Sequence, residues 1–146
     1  MKDKSGESAV FGTFSSKGIM TAHDGSLSGS MEDYLEMIYR ISREGGAVRV
    51  KELSANLGVS PSSASRMTGV LKMKGLVNSE KYSYITLTET GRVLGEYFLH
   101  RHEVVNSFLC LLNKSKEELK QTEAIEHYLS DLTVSNMERV LKAKTI

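Results

Sequence analysis

Residues 57–67, LGVSPSSASRM, contain a sharp turn followed at once by the start of a helix. Gly58 tolerates the left-handed backbone that ends a helix, Ser60 is a strong N-cap, and Pro61 suits the first helical position. Apolar residues recur at helical spacing on both sides of the turn, beginning near Val50. The stretch therefore predicts two short helices joined by a tight turn.

Both flanks of this stretch also predict regular structure. Upstream, apolar residues over 31–41 recur every three or four positions, which predicts a helix that Ser30 is suited to cap and Gly45 to end. Downstream, polar and apolar residues alternate over 76–87, as in a β-hairpin. The order helix, helix, tight turn, helix, hairpin is that of a winged helix-turn-helix.

The second helix of the pair carries a surface suited to double-stranded DNA. Short hydroxyls and a guanidinium fit a major groove, and a helix N-terminus favours phosphate. We predict contacts from Ser60, Ser62, Ser63, Ser65, Arg66 and Lys72 on or next to this helix, and from Lys81 and Tyr82 at the tip of the hairpin. The alternative is a helical hairpin with a capped start and no DNA-binding role.

Residues 122–130, TEAIEHYLS, hold a cluster of charged and imidazole side chains. In a helix, Glu123, Glu126 and His127 share one narrow face because they lie three and four residues apart. Two carboxylates on one face repel each other unless a cation lies between them. The segment therefore predicts a cation site, and an ordinary solvated helix face is the alternative.

Further donors come from two other predicted helices. Asp33 and Glu36 lie three residues apart on the first helix. A long helix after Thr88 carries His100 and His102, of which at most one can join a given site. Taken singly, Asp33 suits a capping role, Glu36 a solvated face and His102 a packed position. Together, oxygen and nitrogen donors without sulfur favour Mn²⁺ or Fe²⁺, although Zn²⁺ would also bind.

The composition excludes several classes of protein. The formal net charge is only +1, so any DNA-binding surface must be local. The single cysteine, Cys110, excludes an intrachain disulfide, and the chain has no apolar run of about 18 residues that could span a membrane. We therefore expect a cytoplasmic protein. Helical di-metal enzymes usually have two Glu-x-x-His repeats, whereas this chain has a single E-x-x-E-H motif. It also has no Gly-rich phosphate loop, so we expect no enzyme.

The sequence pattern divides the chain into three parts. Residues 1–29 are rich in Ser and Gly and lack periodicity, which is typical of a flexible tail. Residues 30–88 form the predicted winged helix-turn-helix domain, and residues 89–146 form a predicted helical domain. The expected fold class is mainly α with a small β-hairpin wing.

Five segments, taken in order, resemble a known family. They are SMEDYLEMIY (30–39), SPSSASRM (60–67), EKYSYITLT (80–88), RHEVV (101–105) and EAIEHYLS (123–130). Together they are similar to the diphtheria-toxin-repressor family of metal-dependent transcriptional regulators, and to its manganese branch in particular. The resemblance covers residues 30 to about 140.

The resemblance implies a repressor of metal-uptake genes that binds a pseudo-palindromic operator when a binuclear metal site is filled. It implies two Mn²⁺ ions per protomer, held by Asp33, Glu36, His102, Glu123, Glu126 and His127. Carboxylates at positions 33 and 123, where the iron branch has methionine and cysteine, point to manganese. Expected substitutes are Fe²⁺, Zn²⁺, Co²⁺ and Cd²⁺. The alternatives are an iron- or zinc-responsive member of the family and a metal-independent winged-helix regulator.

The resemblance also implies that the C-terminal helices form a homodimer. The predicted contact combines apolar residues of the long helix with those of the last helix, and its alternative is a core within one chain. The predicted residues are Val93, Leu94, Tyr97 and Phe98 with Leu132, Met137, Val140 and Leu141.

Overall fold

Helices form most of the structure, which is a computed structural model that describes residues 27–80 and 84–144. In chain order the helices are α1 (Gly29–Gly45), α2 (Val50–Leu57), α3 (Pro61–Met73), α4 (Glu89–Asn113), α5 (Leu119–Ile125), a 3₁₀ helix (Glu126–Tyr128) and α6 (Asp131–Lys144). The short strands β1 (Val77–Asn78) and β2 (Thr86–Leu87) lie between α3 and α4 and pair antiparallel. This arrangement confirms the mainly helical fold with a small hairpin wing.

The tight turn between α2 and α3 forms as predicted. Gly58 ends α2 in the left-handed region with φ 68°, and Ser60 caps α3 by accepting a hydrogen bond from the Ser63 N–H at 3.1 Å. An isolated antiparallel β-bridge between Val48 and Ile85 joins the segment before α2 to the wing. The chain thus has all parts of a winged helix-turn-helix.

The core is built where α1 crosses α4. A Cβ at Gly95 of α4 would lie only 2.8 Å from the Tyr39 Cβ and 2.9 Å from the Leu35 carbonyl oxygen, so the two helices approach closely at this glycine. Leu35, Leu94 and Phe98 are fully buried at this crossing. The crossing brings the start of α1 to the middle of α4, where His102 lies.

Several helix ends differ from the sequence prediction. Ser28, not Ser30, caps α1, because its Oγ accepts from the Met31 N–H at 3.2 Å. The helix predicted to hold Glu123, Glu126 and His127 ends at Ile125, so the last two lie in the tighter 3₁₀ helix. Met73, the last residue of α3, is apolar but 90% exposed. The predicted flexible tail and the wing tip fall mostly outside the described residues.

The long helix does not offer all of its predicted dimer residues to a partner. Leu94, Tyr97 and Phe98 are buried in the core of the chain, and Val93 packs against that core. For the three buried residues the alternative of an intrachain core is therefore correct, whereas the partly buried Val93 stays a predicted dimer contact. Leu132 and Val140 on α6 are exposed, at 71% and 40%. Within residues 27–80 and 84–144, every helix is too short or too polar to cross a bilayer.

Candidate metal centre

A cavity of about 400 Å³ lies between α1, α2, α4 and α5. Acidic and imidazole side chains reach it from three sides. They are Asp33 and Glu36 from α1, His102 from α4, Glu123 from α5 and Glu126 from the following 3₁₀ helix. The cavity therefore collects side chains from both halves of the chain.

Two groups of donors have the spacing that a metal ion requires. Asp33, Glu126 and His127 form one group, with donor atoms within 4.8 Å of one another. Glu36, His102 and Glu126 form the other, with the same spacing. The oxygen and nitrogen donors of both groups suit divalent cations, and Glu126 belongs to both groups. The residues present thus fit a pair of neighbouring ions.

Nitrogen groups of the protein already pair with the carboxylates of the cavity. Glu126 Oε2 lies 2.8 Å from His102 Nδ1, and Glu36 Oε2 lies 3.3 Å from Arg40 Nε. Asp33 Oδ1 lies 3.1 Å from His127 Nε2. The carboxylates that the sequence places in one crevice are therefore separated by one guanidinium and two imidazoles.

The pKa values of three groups reflect this crowding. Burial raises the pKa of Glu36 to about 7, and the neighbouring Glu126 carboxylate adds to the increase. Hydrogen bonds to Asp33 and Glu32 raise the pKa of His127 to about 10. The bond to Glu126 raises the pKa of His102. Protons therefore compete with a metal ion for these groups.

Five of the six predicted ligands fall into the two donor groups. The sixth, Glu123, lies on the cavity wall with an exposed side chain and belongs to neither group. His100, the histidine that could not share a site with His102, points away and pairs with Glu138 at 3.2 Å. Helix periodicity was sufficient to separate the two histidines.

Two buried charged residues beside the site are absent from the sequence prediction. Glu32 is 4% exposed and Arg101 is 1% exposed, and the two are joined by an ion pair of 2.8 Å. Glu32 Oε1 also lies 2.7 Å from His127 Nδ1. The sequence did not predict that Glu32 is buried beside the site. Adjacent helical residues point about 100° apart, and of Glu32 and Asp33 only Asp33 was assigned to the site.

The DNA-binding residues predicted on α3 form a surface opposite to its buried side. Ser62, Ser65 and Arg66 are exposed, whereas Ala64 and Thr68 face the core. The Ser60 hydroxyl is used for capping, and it also donates to Ser63 Oγ at 3.0 Å. The Lys72 ammonium group donates to the Ser79 carbonyl oxygen at the base of the wing. Lys81 and Tyr82 lie outside the described residues.

Two family models match consecutive parts of the chain. The model described as "Iron dependent repressor, N-terminal DNA binding domain" matches residues 26–85. The model described as "Iron dependent repressor, metal binding and dimerisation domain" matches residues 88–145. The gap between the two matches, residues 86–87, coincides with β2, the last strand before α4.

Individual relatives agree with these matches. The HTH-type transcriptional regulator MntR of Geobacillus kaustophilus is 40% identical over 102 residues, which are 69% of this chain and 72% of the relative. MntR of Bacillus subtilis is 37% identical over 102 residues, which are again 69% of this chain and 72% of the relative. The solved structure of the manganese regulator SloR matches with a TM-score of 0.67 and 27% identity. That match covers 77% of this chain and 53% of SloR, so this chain spans about half of its length.

The matched parts coincide with the two halves of the fold that meet at the cavity. The winged helix-turn-helix corresponds to the DNA-binding model, and the helices from α4 onward correspond to the metal-binding and dimerisation model. The chain therefore belongs to the iron dependent repressor family of metal-dependent, DNA-binding transcriptional regulators, which are not enzymes.

Proposed function

We propose that this chain is a manganese-responsive repressor of metal-uptake genes that acts as a homodimer in the cytoplasm. The observation that carries the proposal is the pair of donor groups that share Glu126. Asp33 and Glu36 come from the part proposed to bind DNA (30–88), and the other donors come from the part proposed to dimerise (89–146). The proposed metal site therefore contains residues of both the DNA-binding part and the dimerisation part.

The donor types favour manganese over the softer alternatives. Both groups consist of carboxylates and imidazoles, and neither contains a thiolate or thioether. Such a set suits Mn²⁺ and Fe²⁺, while Zn²⁺, Co²⁺ and Cd²⁺ are expected substitutes because affinity alone does not exclude them. We assign two ions per protomer. We include Glu123 as the sixth ligand, since its exposed carboxylate lies on the wall of the same cavity.

The residues of the cavity link the two halves of the chain. A bound divalent ion supplies positive charge among carboxylates that belong to different helices. With an ion bound at each donor group, Asp33 and Glu36 would hold α1 against Glu126 of the 3₁₀ helix, and α1 packs on α4 at Gly95. In a dimer, this fixes the distance between the two α3 helices, which must match half-sites about one helical turn of DNA apart. We propose that Leu132 and Val140 contribute to the dimer contact.

A titration of the chelator-stripped, full-length protein with Mn²⁺ tests the proposal. Electron paramagnetic resonance is expected to show two bound, spin-coupled ions per protomer. Binding to a duplex selected from a random pool by the Mn²⁺-loaded protein should be lost on chelation. Absence of specific Mn²⁺ binding would contradict the proposal, and DNA binding that persists in chelator would favour a metal-independent winged-helix regulator.

Mn²⁺ affinity is expected to rise with pH across neutrality. Metal ligands must be deprotonated, and the pKa values of Glu36 and His127 are about 7 and about 10, so both carry protons that Mn²⁺ must displace. At pH 7 His127 is protonated and Glu36 is about half protonated, so binding should release more than one proton per protomer. Calorimetry in buffers of different ionisation enthalpy measures this release. A release below one proton at pH 7 would contradict the assignment of His127.

Arg40→Gln is expected to strengthen Mn²⁺ binding. The guanidinium lines the cavity and lies 3.3 Å from Glu36, so it competes with the ion for that carboxylate and repels the ion. Because the Arg40 side chain is 39% exposed, we expect the few-fold gain in affinity that corresponds to about 0.2–1 kcal/mol for an exposed ion pair. Arg43→Gln on the same helix is the control, since Arg43 faces the Tyr39 ring. Equal affinities of the two variants would show that Arg40 has no such effect.

A further inference from the structure

Glu32 joins three helices at one buried oxygen atom. Its Oε1 accepts a hydrogen bond from Arg101 Nη2 at 2.8 Å and lies 2.7 Å from His127 Nδ1. Glu32 belongs to α1, Arg101 to α4 and His127 to the 3₁₀ helix. Because Glu32 and Arg101 are 4% and 1% exposed, neither charge can be compensated by water. Their pairing is therefore a fixed feature of the interior.

The Glu32 carboxylate determines which ring nitrogen of His127 is protonated and donates a hydrogen bond to Glu32. An ionised carboxylate only accepts hydrogen bonds, so Nδ1 must donate to Glu32. A guanidinium only donates, so the 3.2 Å contact between Arg101 Nη2 and Nδ1 is not a second hydrogen bond. Nε2 is the nitrogen that faces Asp33 Oδ1 at 3.1 Å and Glu126 Oε1 at 3.9 Å. The imidazole thus presents Nε2 to its donor group.

The His127 ring is also supported on its face. A Cβ at Gly29 would lie 3.2 Å from Cγ and Cδ2 of His127, so the ring packs on the backbone of the first turn of α1. Arg101 is held in turn by Phe98, whose ring centre lies 5.0 Å from the guanidinium carbon. Groups outside the ligand set therefore restrict both the position and the rotation of the imidazole.

We propose that Glu32, anchored by Arg101, is a positioning residue that fixes the tautomer and orientation of His127 as a metal ligand. Imidazole ligands commonly donate their second N–H to a carboxylate, and loss of that partner typically lowers metal affinity by about 10–100-fold. The inference rests on the proposed metal-responsive function. It adds a second connection between α1 and the C-terminal part, which protein side chains make without a metal ion.

The test compares two double variants that differ by one acceptor. Removing Glu32 alone would leave the Arg101 charge buried and unpaired, so both variants carry Arg101→Met. Glu32→Gln with Arg101→Met keeps an oxygen that accepts from Nδ1–H, whereas Glu32→Leu with Arg101→Met removes it. In the leucine variant we expect one of two Mn²⁺ ions to bind about 10–100-fold more weakly and the other to bind nearly as before. The glutamine variant should recover most of the loss.

Nitrogen-15 NMR of His127 in the chelator-stripped protein gives a readout that does not depend on metal. We expect a slowly exchanging Nδ1–H signal in the wild type and the glutamine variant, and its loss in the leucine variant. The inference would be overturned if the leucine variant bound both ions equally more weakly, or if its Mn²⁺ affinity were unchanged. The control is Glu44→Gln, an exposed change on the same helix. If the wild type bound no Mn²⁺, the proposed function would fall, and the NMR signal would still decide whether Glu32 accepts a hydrogen bond from Nδ1–H of His127.

Discussion

Glu126→Gln is expected to abolish tight binding of both Mn²⁺ ions. Among the residues that the structure describes, Glu126 is the one that contributes to both donor groups, and it is 1% exposed between His102 and His127. Glutamine keeps the volume but removes the negative charge that each ion would share. We expect each affinity to fall by more than about 100-fold, beyond the range typical of outer-sphere substitutions. Metal-dependent DNA binding should be lost with it.

Single changes on α1 give a matched comparison. Asp33 belongs to one donor group and Glu36 to the other. We therefore expect Asp33→Asn and Glu36→Gln each to lose one tightly bound ion, while Glu126→Gln loses two. Electron paramagnetic resonance of unbound Mn²⁺ counts the bound ions in each variant. The exposed Glu117, which precedes α5, is the control as Glu117→Gln. Two ions bound at wild-type affinity by Glu126→Gln would contradict the shared-ligand assignment.

The sequence predicted the fold where local rules dominate. Gly58, Ser60 and Pro61 determine the turn by backbone geometry alone, so it forms as expected. Ser28 and Ser30 are equally good caps by residue type, and Ser28 is the one used, in a first turn of α1 whose Gly29 packs against His127, which is distant in sequence. Boundaries set by tertiary contacts were therefore the ones that the sequence did not predict.

The same distinction holds for the candidate metal centre. Asp33 and Glu36 were linked by their spacing of three residues on one helix. Glu126 and His127 were linked only through Glu123, three and four residues before them, and Glu123 is the predicted ligand that belongs to neither donor group. The role of Glu32 depends on an arginine 69 residues away, and a buried Glu32–Arg101 pair has no periodic signature. Likewise, Leu94 and Phe98 form an apolar stripe that would suit either a core or a dimer, and only the packing against α1 decides between them.

Arg66→Ala is expected to weaken DNA binding by the Mn²⁺-loaded dimer by at least about 10-fold. Arg66 is exposed on α3, on the side opposite to the buried Ala64 and Leu71. Loss of one base contact by an arginine typically costs about 1–3 kcal/mol, and a symmetric dimer loses the contact in both half-sites. Mn²⁺ affinity of the free protein should not change, since Arg66 lies outside the cavity. Fluorescence anisotropy on the selected duplex measures the effect.

Arg66→Lys distinguishes what the guanidinium contacts. Lysine keeps the charge but lacks the planar fork that binds a guanine edge with two hydrogen bonds. If Arg66 contacts a base, the lysine variant should stay weak and tolerate changes at one operator position. If it contacts phosphate, lysine should restore binding, while Arg66→Ala should lower the salt dependence by about one charge per half-site. Arg139→Ala, an exposed change on α6, is the control. Unchanged affinity and salt dependence in Arg66→Ala would exclude this face of α3 from the DNA interface.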